Sequence, residues 1–227
     1  KVTGSVEKAV EEVGKILNIK GKVIPVTTNQ VRLQMMLENG KLLNGEREVL
    51  KAEEPLINFR SIDLEPFPKA NPRVIDELMT ADLIVFGPGG LFTSLIPNLL
   101  VEGVGKALRD TGAKKVFIVN LMSKRKQTPG FKVSDYIRSI KQFAGKDFFD
   151  YILVNNKMPP SHLLEKYSQE SELIENDLED PRIIFADVLD EINPKYDEHD
   201  AIANTRALIR HDSHKLATEL MKIVNNI

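Results

Sequence analysis

Apolar positions along this chain follow two alternating rhythms. Short continuous apolar runs at 83–86, 115–120, 150–155 and 183–186 are bounded by Gly, Asn, Asp or other turn residues. Runs of that length and flanking predict strands buried on both faces, as in a parallel sheet. Between and around them the apolar residues recur every three or four positions, predicting helices at 5–17, 95–108, about 133–143 and 161–167. A last helix is marked by Leu216, Leu220 and Ile223. Ser5 is placed to cap the first helix, and Asn71 followed by Pro72 opens another. Strict alternation of Val31, Leu33, Met35 and Leu37, then Asn39-Gly40, predicts a hairpin. The stretch 22–27 reads as a strand whose Pro25 puts it at an edge, and 62–64 as a short strand stopped by Pro66 and Pro68. Residues 46–60 are polar and unassigned, and 187–200 read as an acidic loop. Strands alternating with helices predict an α/β fold, Rossmann-like and three-layered (α/β/α), with a mostly parallel sheet and a small antiparallel hairpin insertion at about 22–65.

Composition narrows the picture modestly. With 227 residues, 42% of them hydrophobic and 28% charged, the chain suits one large α/β domain, and 1–227 is read as one. The formal net charge of −2 gives no bulk electrostatic case for nucleic acid. The absence of cysteine excludes disulfides and thiolate metal sites. No apolar run reaches the length of a membrane span. The four histidines show no zinc spacing, and no serine or cysteine nucleophile motif is present. The first residue is not Met, and the chain is expected to be a fragment or a partly ordered product.

Candidate chemistry gathers after the strand at 83–86. The turn Gly87-Pro88-Gly89-Gly90 leads through Leu91-Phe92-Thr93-Ser94 into a helix. Glycines let a backbone approach a phosphate, and the free N–H groups and dipole of a helix start favour negative charge. Thr93 and Ser94 are placed to cap the helix or to bond a phosphate oxygen. The turn is neither G-x-G-x-x-G nor a P-loop, and glycine can equally serve packing alone. Asn120 and Asn155 end two further strands, on the edge where open α/β sheets bind ligands, although Asn also simply closes turns. Thr128 and Asp135 lie in a loop entering a helix. Lys124-Arg125-Lys126 nearby reads as a solvated basic loop, with contact to a phosphate as the alternative. Arg210 offers a planar fork for phosphate, His211 an acid, base or donor, and Asp212 a helix cap.

Together these segments resemble the CofD-like superfamily. The stretch from Gly87 through Ser94 to Asn98 and Val101 is more closely similar to its gluconeogenesis factor branch. So, in the same order, are Asn120-Leu121-Met122, Thr128 with Gly130-Phe131 and Ser134-Asp135, Leu153-Val154-Asn155, and Arg210-His211-Asp212. Gly40 and Gly45-Glu46 match in the hairpin region, and Tyr167 with Glu170 matches a Tyr-x-x-Glu pattern. The chain departs from the branch at Gly90, where Ser is usual, at Phe92, where Tyr is usual, and at Tyr136, where His is usual. Family members open with a strand and a Gly-rich loop that are not in this chain, so it resembles their last two-thirds, and half of a nucleotide site would be absent or supplied by residues outside it.

The resemblance implies a cytoplasmic regulator that binds a nucleotide sugar of the UDP-N-acetylglucosamine (UDP-GlcNAc) type, linked to growth on gluconeogenic carbon sources and to cell shape. The ligand residues it implies are Gly87, Gly89, Gly90, Thr93, Ser94, Asn98, Asn120, Thr128, Asp135, Asn155, Tyr167, Arg210, His211 and Asp212. The sister branch implies an alternative, a 2-phospho-L-lactate transferase of coenzyme F420 synthesis, and only that reading calls for Mg2+. A dehydrogenase-like domain binding NAD or another dinucleotide is a third reading, and a homodimer is left open. Two spatial expectations follow. Asn120, Asn155 and Tyr167 should line one cleft, and Arg210 should lie beside the glycine-rich turn.

Overall fold

The computed structural model describes residues 4–191 and 209–226. Its centre is a four-stranded parallel sheet, ordered β4-β5-β7-β9, built from Leu83–Phe86, Lys114–Ile118, Tyr151–Asn155 and Ile183–Ala186. The registers put Phe86 beside Phe117, Ile118 beside Leu153 and Asn155 beside Ala186. Because side chains alternate across a strand, β5 divides its apolar residues between two cores. Val116 and Ile118 pack with Leu153 and with Leu216, Leu220 and Ile223 of the C-terminal helix α8 (Ser213–Val224). Phe117 and Val119 face the other way, against Val133, Tyr136, Ile137 and Ile140 of α6 (Val133–Ala144). Helices on both faces make the three layers, and the α/β class expected from the sequence is the one found.

The hairpin also forms. β1 (Arg32–Leu37) pairs antiparallel with β2 (Leu42–Asn44) through a turn in which Gly40 has φ +87°, a conformation an L side chain rarely adopts. β3 (Phe59–Glu65) pairs with the other edge of β1, completing a three-stranded sheet. Leu33, Met35 and Leu37 turn inward and join the main core. Capping matches expectation as well. The Ser5 side chain accepts from the Lys8 N–H at the start of α1 (Val6–Ile16). Asn71 caps α3 (Pro72–Thr80), accepting from the Arg73 N–H. The polar stretch after the hairpin includes a short helix, α2 (Glu46–Leu50).

Four local expectations are corrected. Residues 22–27 form no strand. Their backbone joins no sheet, and the Val26 carbonyl accepts instead from the Asn71 N–H at 2.8 Å. The strand at 83–86 is not buried on both faces; β4 pairs only with β5 among the described residues, and Val85 is 41% exposed. The helix expected over 95–108 is three pieces. A π-helical turn (Leu91–Leu95) runs into α4 (Ile96–Leu99), and α5 (Val104–Asp110) starts separately from Gly103 at φ +98°. The break is set by 102, whose N–H and carbonyl bond to Pro68 and Ala70 rather than along a helix. Finally, the polar loop after 120 is not simply solvated. β6 (Met122–Lys124) pairs antiparallel with β8 (Ser171–Leu173), and Ser123, Gln127 and Thr128 are buried. Between them lies α7 (Ser161–Tyr167).

Candidate ligand-binding site

At the carboxyl ends of β4 and β5 the described residues enclose a cavity of about 510 Å³. That volume falls within the range of small-molecule sites. Three distant parts of the chain meet in it: the turn Pro88-Gly89-Gly90-Leu91, the β6 region with Lys124, Gln127 and Thr128, and Ile209-Arg210-His211. Tyr136 of α6 and Tyr167 at the end of α7 complete the wall. Its charged lining is Lys124 and Arg210, with no carboxylate among the lining residues.

The glycine turn is held by one side chain. Asn120 accepts from the Gly89 N–H at 3.1 Å and donates to the Gly89 carbonyl at 2.8 Å. Asn120 therefore acts as a clamp on the turn, one N–H and its carbonyl both engaged by the Gly89 peptide. Close approach explains the neighbouring glycine. A Cβ on Gly90 would stand 2.3 Å from the Thr93 hydroxyl oxygen, so any side chain there forces Thr93 to swing away. Thr93 and Ser94 sit inside the π-helical turn, Gly90 rather than either hydroxyl takes the cap position, and neither residue lines the cavity. Gly87 and Asn98 line a different, apolar hollow of about 350 Å³ beside β4, where the Asn98 amide donates to the Ser94 carbonyl at 2.6 Å.

Arg210 and His211 are presented to the cavity by a short antiparallel bridge between Leu189 and His211. The Arg210 Nε donates to Asp190 at 2.6 Å, and no bond is made by its two terminal nitrogens among the described residues. Arg210 and the glycine turn, expected to be neighbours, line the same cavity. Lys124 has no ion-pair partner among the described residues, whereas Arg125 pairs with Glu172 and bonds the Ser168 carbonyl. Thr128 and Tyr136 share a buried hydroxyl–hydroxyl bond of 3.1 Å. Burial pushes the Tyr136 phenol above its ordinary range, which keeps its proton in place.

The other expected residues are occupied elsewhere. Asn155 donates to the Lys157 carbonyl at 2.6 Å and accepts from the Val188 N–H at 3.2 Å. It lines a neighbouring cavity of about 410 Å³ that meets the first only at Asn120 and Leu121. The single cleft expected for three residues thus holds Asn120 and Tyr167 and leaves Asn155 outside. Asp135 accepts from the Lys132 N–H at 2.8 Å and pairs with Arg138, which commits it to the first turn of α6. Asp212 caps α8, accepting from the His214 and Lys215 N–H groups, each at 2.8 Å. Gln127, absent from the expected set, is buried in the lining. A polar residue beside Thr128 in a loop was the only signal for it.

His211 lies 3.2 Å from the Val119 carbonyl through Nε2, so that nitrogen carries the proton and Nδ1 is the acceptor. Burial lowers its pKa from the ordinary value, more than the carbonyl raises it. The unfolded chain therefore takes up the proton first as pH falls below about 6.5, and the histidine's contribution to stability is lost across that acid range. We expect the thermal midpoint of the wild type to fall more steeply between pH 7 and pH 5 than that of His211→Gln. Parallel curves would place His211 in an environment no different from water.

The comparisons with known proteins agree on a family. The family model described as 2-phospho-L-lactate transferase CofD matches residues 1–191. The chain belongs to the CofD family. Within it, a gluconeogenesis factor of Bacillus subtilis is 32% identical over 98% of this chain and 68% of its own length. A relative from the same group in Aquifex aeolicus is 36% identical over 99% of this chain and 67% of its own. Among solved structures, a UPF0052-family protein of Bacillus halodurans superposes with a TM-score of 0.83 at 28% identity, covering 97% of this chain and 68% of that one. The chain thus spans about two-thirds of the length of these CofD-family relatives. Among the described residues no helix is long and apolar enough to cross a membrane.

Proposed function

We infer that the cavity binds a nucleotide sugar of the UDP-GlcNAc type, and that the protein is a regulator of the gluconeogenesis factor kind rather than a catalyst. The observation that carries this reading is the charge of the cavity wall. Lys124 and Arg210 share the lining with a clamped glycine turn, and no carboxylate joins them among the described residues. Such a wall suits a diphosphate, which gains a charge-assisted bond from an Arg fork and close contact with glycine backbone. The kinship with gluconeogenesis factors supports a role in growth on gluconeogenic carbon sources and in cell shape.

Calorimetric titration of UDP-GlcNAc into the full-length protein tests the reading, with Gly89→Val as its critical variant. A Cβ at 89 meets only the Ser94 side chain, at 3.4 Å, so the first atom of a side chain finds room there, and thermal unfolding checks that the valine variant folds. The branched group stands in the way of the phosphates. Saturable binding by the wild type, abolished in a folded Gly89→Val protein, is the expected result. Unchanged affinity in the variant overturns the site, and no binding by the wild type overturns the ligand.

A second reading, phosphotransfer of the 2-phospho-L-lactate type, is favoured by the name of the matching family model. Among the described residues no group of three or more His, Asp or Glu is placed to hold a metal ion such as Mg2+. Turnover of a phospholactate donor in the presence of Mg2+, followed by mass spectrometry, decides between the two.

A further inference from the structure

Gln127 is 5% exposed and lines the cavity, yet its carboxamide makes no hydrogen bond with any described residue. Only its backbone is engaged, the N–H donating to the Lys124 carbonyl at 2.8 Å. Three other neutral polar side chains of the lining are matched: Asn120 by the Gly89 peptide, Thr128 by Tyr136, and His211 by Val119. A buried amide left without a partner costs stability, and proteins keep such groups where something else completes them.

We propose that Gln127 reads the imide edge of the ligand's pyrimidine base. The inference rests on the nucleotide-sugar reading above and names the part of the ligand that this residue recognises. A primary carboxamide presents a carbonyl acceptor and an N–H donor side by side in one plane. Its complement is a ring edge with an adjacent donor and acceptor, which the uracil N3–H and a flanking carbonyl supply. The acetamide of an N-acetyl sugar is a trans amide whose N–H and C=O point in opposite directions, so it cannot satisfy both atoms of one carboxamide. Lys124 and Arg210 remain for the phosphates.

The test is calorimetry on the full-length protein with UDP-glucose, which lacks the acetamide, and with its N3-methyluridine analogue. Wild type and Gln127→Leu are compared, each checked by thermal unfolding. The wild type should bind UDP-glucose and lose about ten- to a hundredfold on methylation. Gln127→Leu should bind UDP-glucose about ten- to a hundredfold more weakly and be indifferent to the methyl group. Without ligand, its unfolding midpoint should equal or exceed the wild type's, because a buried unmatched amide has been removed. Three results overturn the proposal. Equal discrimination by both proteins removes Gln127 from base recognition and leaves the nucleotide-sugar reading standing. A lower midpoint for the variant makes the amide a structural group. Failure of the wild type to bind either UDP-glucose or UDP-GlcNAc overturns the reading itself and the proposal with it.

Discussion

Phe117→Ala is expected to cost about 3–5 kcal/mol of folding stability, the usual range for emptying an aromatic core position. Phe117 is wholly buried on the central strand β5. Its ring stacks on Phe149 with centroids 5.3 Å apart and planes 23° apart, and lies 6.4 Å from Tyr136. Phe149 in turn packs against Phe86 and Phe148, so the site is the hub of an aromatic cluster joining β4, β5 and α6. Strands on both sides hold the backbone in place, which limits how far neighbours can collapse into the hole. Against a typical total of about 5–15 kcal/mol, the variant should be marginally folded. Urea unfolding measures the loss as a lower midpoint at unchanged slope. A cost below about 1.5 kcal/mol would mean that the cluster repacks freely and that Phe117 does not anchor Tyr136 behind the cavity.

The parts of this fold that were legible in the sequence are those whose cause is local. The hairpin follows from Asn39-Gly40 and the alternation before it, and the caps at Ser5, Asn71 and Asp212 follow from side chains that reach N–H groups two or three residues on. Strands β5 and β7 announced themselves because they are covered on both faces. What misled was pairing at a distance. Residues 22–27 have a strand's composition but no strand to join, and β6 has a loop's composition but finds β8 far along the chain. The helix over 95–108 kept its period while contacts of 102 with the 68–70 segment broke it. In the candidate site the glycine turn and Arg210 were read together because their residue types suit a diphosphate, Tyr167 was added by the family resemblance, and all three line one cavity. Asn120 and Asn155 were singled out as strand ends and Asp135 as a polar residue entering a helix, and their side chains bond backbone or a neighbouring side chain. Asn and Asp can bond a backbone as well as a ligand, and sequence does not say which partner is nearer.

Arg210→Ala should weaken UDP-GlcNAc binding by about ten- to a hundredfold, the equivalent of losing one charge-assisted bond of about 1.5–3 kcal/mol. The guanidinium is held at one end, where Nε donates to Asp190, a carboxylate only 9% exposed, while its terminal nitrogens keep no partner among the described residues. An Arg fixed in this way loses less rotamer freedom when it takes hold of an anion. Arg210→Lys should recover only part of the affinity, because an ammonium cannot keep the Asp190 bond and grip a diphosphate in one plane. The ion pair also supports the fold locally, so truncation to Ala is expected to lower stability somewhat, and a loss of binding could be confused with that. The double variant Arg210→Ala with Asp190→Asn separates the two effects. With both proteins titrated well below their unfolding midpoints, affinity should stay lost in the double variant. If affinity comes back together with stability, Arg210 serves only the Asp190 pair, and the diphosphate must be held by Lys124 and the glycine turn alone.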